Sequence, residues 1–168
     1  MNDQGPNVAD VRRALLARTV RRTSTAVVLA LMVVGIAVFR ASLPWTLVAA
    51  IVFFAAAALV CWWQVRRLGK RSGQLTPEYL SEHSHDRASP LEPVISLVSI
   101  WGVLAVVAWF VPVAGAVLAG GMGGSQLAML LIGSGRVTVS EASVDALLMG
   151  YVSVLPASAW NSSAEDLT

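Results

Sequence analysis

The segment TPEYLSEHSHDR, residues 76–87, holds the densest set of side chains able to do chemistry. Glu78, Glu82 and Asp86 recur at steps of four, so a helix would stack them in one acidic row. His83 and His85 lie two apart. An extended chain would put them on one side, whereas a helix would turn them to nearly opposite faces. A metal centre needs ligands that converge at defined spacing. Here the histidines and the acids ask for different backbones. The segment therefore reads as a solvated loop whose acids offset the basic run before it, and no metal is assigned to it.

Other candidates are thinner. Asp145 is an acid in a mostly apolar segment just beyond Glu141. An ionisable group inside a membrane is a functional candidate, but a place near a helix start makes Asp145 an interfacial carboxylate. Gln126 offers a hydrogen bond between helices, and Trp101 and Met129 read as packing residues. Gly120, Gly121, Gly123 and Gly124 surround Met122, yet this stretch lacks the lysine and hydroxyl residue of a phosphate cradle and follows no strand. No apolar segment holds a histidine to serve as base for a nucleophilic serine. Cys61 is the only cysteine, so no internal disulfide forms. No catalytic residue and no cofactor site is assigned, and the chain is not expected to be an enzyme.

The elements that carry these residues are set by hydropathy. Of 168 residues, 56% are hydrophobic and 13% are charged. Soluble domains average about 45–50% and about 25%. Residues 24–39, 41–65 and 93–135 are each free of charge. Such blocks mark a membrane protein. The expected fold is all-α and polytopic: four transmembrane helices after an N-terminal amphipathic helix, with three or five crossings as alternatives.

Residues 1–22 form a cytoplasmic amphipathic arm. Asn7 caps it, Asp10 lies in its first turn, and Val8, Val11, Leu15 and Leu16 make an apolar stripe suited to an anionic leaflet. Residues 23–63 hold spans one and two as a transmembrane hairpin. The first span, about 23–39, is retained rather than cleaved, because Phe39 and Arg40 stand where a cleavage site wants small residues. The second covers 43–63. Pro44 suits its first turn. Trp45, Trp62 and Trp63 sit at its interfaces, and Arg66, Arg67, Lys70 and Arg71 follow as a basic edge. Residues 64–89 are a cytoplasmic polar loop. Residues 90–135 hold spans three and four. Ser89, Pro90 and Glu92 start the third, and Trp109 marks its far interface. Pro112 either kinks a long helix or separates two.

On a helix, Ala116, Gly120, Gly124 and Ala128 form an unbroken stripe of small residues, the kind that admits a second helix backbone at close range. Gly133, Gly135 and Arg136 then read as a helix end with a basic anchor. Residues 136–168 are a C-terminal membrane-associated helix, about 139–155 with Thr138 and Glu141 as a capping box, and a polar tail.

The net charge of +2 does not signal nucleic acid, because the basic residues flank the apolar runs. With the N-terminus inside and four spans, Arg40 alone of the 12 Lys and Arg residues falls outside. Arginine in place of lysine suggests a GC-rich bacterial genome, hence a bacterial cytoplasmic (inner) membrane. The expected partners are the lipid bilayer and other membrane helices, as a homo- or hetero-oligomer. The expected role is that of a small non-catalytic accessory, assembly or scaffolding subunit. A transporter or channel component is the alternative, suggested by the glycine-rich, proline-interrupted region.

Overall fold

The computed structural model describes residues 8–41, 44–68 and 92–152. Among these, 93% are helical and none lies in a strand. The described residues form five helices in chain order: α1 (Val8–Ala41), α2 (Pro44–Leu68), α3 (Glu92–Phe110), α4 (Pro112–Gly133) and α5 (Glu141–Val152). Three of them contain stretches long and apolar enough to cross a membrane: Arg12–Ala41, Pro44–Arg67 and Pro112–Gly133. The apolar stretch of α3, Ile95–Phe110, is shorter.

The arm and the first apolar run are one unbroken helix. Its 34 residues reach roughly 51 Å at 1.5 Å each, well beyond about 30 Å of hydrocarbon. Hydroxyls near the start of the apolar part bond back to their own helix. Thr23 Oγ1 donates to the Thr19 carbonyl at 2.7 Å, and Ser24 and Thr25 donate to Arg21 at 2.8 and 3.0 Å. This satisfies them without water. The buried face of α1 is Leu15, Thr19, Thr23, Ala26, Ala30, Val33 and Ala37. Steps of four and three keep these residues in one seam, and most are small. Leu15 and Thr19 are covered by protein, so this side of the arm is not left wholly for a leaflet.

Pro44 opens α2, where its missing N–H costs nothing. Val111, at φ −130° and ψ 76°, separates α3 from α4, and Pro112 takes the first position of α4. The chain reverses there, so Pro112 marks a turn between two helices rather than a kink. Gly115 makes the reversal tight, because a methyl at that position would run into the backbone of Ala108. The far end of α4 closes as a Schellman motif. Gly135 adopts φ +70°. Its N–H donates to Ile132 at 3.1 Å and that of Arg136 to Leu131 at 3.0 Å, which satisfies carbonyls the helix end would orphan. The last helix begins at Glu141, later than the expected start. Ser140 precedes it, accepting from the Ser143 and Val144 N–H groups, and the Ser140 and Ser143 hydroxyls share a bond of 2.8 Å.

α4 is the centre of the bundle. It packs against both α1 and α2, while α1 and α2 touch each other little. The first two long helices are thus antiparallel but not a closed pair, because α4 lies between them. α3 packs on α1 and α4 from outside, and α5 closes one end against α2 and α1. One core joins Ala26, Ala30, Val33 and Ala37 to Ala50, Trp101, Leu104, Ala108, Ala116 and Ala119. A second, nearer α5, joins Cys61 and Val65 to Ala128, Ile132 and Leu147. Large apolar side chains cover the outside, among them Leu31, Met32, Ile51, Val52, Ile95, Val98, Val103 and Val106. A soluble surface rarely exposes such a continuous apolar area, so the helices suggest a membrane protein.

Candidate functional site

The seam of α4 is built from backbone contact. A methyl on Gly120 would lie 2.6 Å from the Ala50 carbonyl oxygen, and one on Gly124 would overlap the Phe54 carbonyl. Ala50 and Phe54 are one turn apart on α2, as Gly120 and Gly124 are on α4, so the two backbones run side by side. On the adjoining face a methyl on Gly123 would meet the Ala30 side chain of α1 at 2.6 Å. Ala116, Gly120, Gly124 and Ala128 are all buried. The second helix backbone admitted by this stripe is that of α2 in the same chain. Gly121, by contrast, has open space where a side chain would go. Dispersion and weak Cα–H···O contacts hold such an approach.

The polar chemistry lies at the bundle's two ends. At the far end Arg40 covers the Trp109 ring, 4.4 Å from its centroid, and its Nε reaches the Trp109 carbonyl at 3.4 Å. Trp45 is exposed at the start of α2. At the opposite end Arg12 of α1 meets Asp145 of α5, Nε to Oδ1 at 3.2 Å, with the Glu141 carboxylate at 3.9 Å. The Asp145 side chain is 14% exposed and that of Arg12 28%. Asp145 is therefore at a helix start, as its position implies, and neutralised by an arginine that sequence reasoning did not connect to it. The signal was weak: Glu141 and Asp145 share a helix face at four-residue spacing, but nothing singles out Arg12 among the five arginines of the arm.

Next to this pair, Trp63, Arg66, Arg67, Thr138, Val139, Ser140 and Ser143 line an open cleft of about 540 Å³ in which Ser143 alone is buried. The Arg67 guanidinium lies 3.6 Å above the centre of the Trp63 ring, and that of Arg66 lies 4.4 Å above Trp62. Trp62 is turned inward against the second core, with its indole N–H unpartnered. Of the expected basic edge, Lys70 and Arg71 lie outside the described residues, as does the 76–87 segment with His83 and His85. Among the described residues no three His, Cys, Asp or Glu side chains gather to hold a metal ion. Trp101 is buried in the first core and Met129 packs on the second.

Compared with protein-family models, curated proteins and solved structures, the chain matches none.

Proposed function

We propose that the chain is a small non-catalytic integral membrane protein that serves as an accessory, assembly or scaffolding subunit of a membrane complex. The observation that carries this reading is the seam of α4. Where Gly120, Gly123 and Gly124 meet Ala50, Phe54 and Ala30 there is no room for a methyl group, hence none for a substrate or water path between these helices. A protein that moves cargo or reshapes around a substrate needs space or a bistable contact at its centre. At these positions the centre is closed, and the ion pair and the stacked arginines stand at its ends.

In this reading four helices cross a bacterial inner membrane. α3 is the shortest crossing, and the N-terminus is inside. The arginines support that orientation. Arg12, Arg66, Arg67 and Arg136 gather at one end and Arg40 stands at the other. The small-residue stripe is occupied within the chain, so partner helices meet the outer faces of α2 and α3. The transporter alternative draws no support from Pro112, because the break before it falls beside Arg40 at the bundle's end and not at mid-membrane depth.

The test is affinity purification of the full chain from native membranes after crosslinking, with identification of what is retained. The reading expects a stoichiometric membrane partner or a second copy. A monomer in mild detergent, with nothing crosslinked to it in membranes, would overturn it.

A further inference from the structure

We propose that the cleft between α2 and the 138–143 segment is a binding site for a phosphate group, presented by an anionic phospholipid headgroup or by a free phosphate. Three independent features meet there. The first is the cleft itself, about 540 Å³, large enough for a phosphate and its glycerol. The second is charge. Arg66 and Arg67 both line it, and among the described residues neither meets a carboxylate within ion-pair distance. Of the acids among the described residues, Asp145 faces Arg12 at 3.2 Å and Glu141 lies 3.9 Å from it. The third is the opposite wall at the start of α5, where the Thr138 hydroxyl and the one O–H of the Ser140–Ser143 pair not used in their mutual bond can donate.

The aromatic rings explain how the arginines are held. Stacking on Trp62 and Trp63 fixes each guanidinium by its face and leaves its edge N–H groups free. Those edges match phosphate oxygens, two donors to two acceptors. The partial positive charge of the α5 N-terminus adds to the attraction. Position fits as well. Trp63 lies where the apolar part of α2 ends and its basic end begins, the level at which headgroups sit. Basic pockets between helices at this depth take anionic headgroups. The site does not depend on the scaffolding reading, because it needs no protein partner.

The test uses the purified full chain in detergent. Phosphatidylglycerol retained after washing is counted by native mass spectrometry, with phosphatidylcholine as the neutral comparison. Wild type is expected to retain phosphatidylglycerol over phosphatidylcholine. Arg66→Gln with Arg67→Gln should weaken this about tenfold or more, on the scale of two lost charge-assisted contacts. Arg21→Gln, at an exposed arginine outside the cleft, should leave it unchanged, and Arg66→Lys with Arg67→Lys should retain part of it. Thr138→Val, which leaves the charges in place, should lower it by a smaller factor and covers the case in which the double variant fails to fold. Added inorganic phosphate identifies the source: displacement of the lipid supports a free-phosphate site, and persistence of the lipid supports a headgroup site. Equal loss in Arg21→Gln and in the double variant, or unchanged retention in both the double variant and Thr138→Val, overturns the proposal.

Discussion

Gly121 and Gly124 differ by less than one helical turn, yet they face opposite fates. Gly124 lies against the Phe54 carbonyl, whereas Gly121 faces open space. Gly124→Ala should therefore lower stability by about 1–3 kcal/mol or more, the usual cost of overpacking, and Gly120→Ala should behave alike. Gly121→Ala should stay within about 1 kcal/mol of wild type, since alanine is the better helix former. Unfolding in mixed detergent micelles measures all three. Equal effects at 121 and 124 would mean that backbone proximity is not what selects glycine. The ion pair gives a second test. Arg12→Ala and Asp145→Ala should each cost about 1–3 kcal/mol, because each leaves a mostly covered charge without its partner. The double variant should cost less than the sum. Additive losses would show that the two groups act independently. At this scale the stripe of small residues was legible, because four-residue steps need only a ruler. The Arg12–Asp145 contact was not, since nothing in either segment names a partner from the other end of the chain.

At the scale of elements, helix ends were well marked. Pro44, Pro112 and Gly135 each sit where backbone rules place them: proline where an N–H has no partner, glycine where φ turns positive. The start of α5 was missed by two residues, because Thr138 and Ser140 are both good caps and only packing chooses between them. The seam of α1 was also missed. Thr19, Thr23, Ala26, Ala30 and Ala37 hold its register, but the glycines of α4 draw the eye first. The docking of α3 is the testable element. It reaches α4 through the Gly115–Ala108 approach. Gly115→Leu should push α3 outward and leave α1, α4 and α2 packed. A cysteine in place of buried Leu104, in a Cys61→Ala background, should then react with a small maleimide several-fold faster than it does with Gly115 intact. An unchanged rate would place the hold on α3 elsewhere.

At the scale of the molecule, hydropathy pointed to an all-helical chain with helices apolar enough to span a membrane, but not to which helix lies at its middle. Adjacent apolar helices invite pairing by sequence order, and nothing in periodicity alone says that α4 separates α1 from α2. What decides it is girth. α4 carries glycine or alanine at all of its buried positions but Ile132, so neighbouring backbones can approach it closely on more than one side. The orientation is checked in intact cells with single cysteines in the same Cys61→Ala background. A cysteine at Trp45, exposed at the far end, should react with an impermeant maleimide, and one at Ser134 should not. The reverse pattern would turn the molecule over.

The middle position of α4 also sets a timetable. In the membrane reading α1 and α2 enter first during synthesis, while the α4 surface that each packs against is still unmade. Until residue 133 has left the ribosome, the two helices must stand with lipid, or with an insertion factor, in the place reserved for a third. A chain interrupted within the polar loop would therefore not be a smaller stable hairpin but a gap held open on both sides. In that reading the central contacts close only when α4 arrives, so a chain cut before α4 should be degraded faster than the full chain in a pulse-chase comparison.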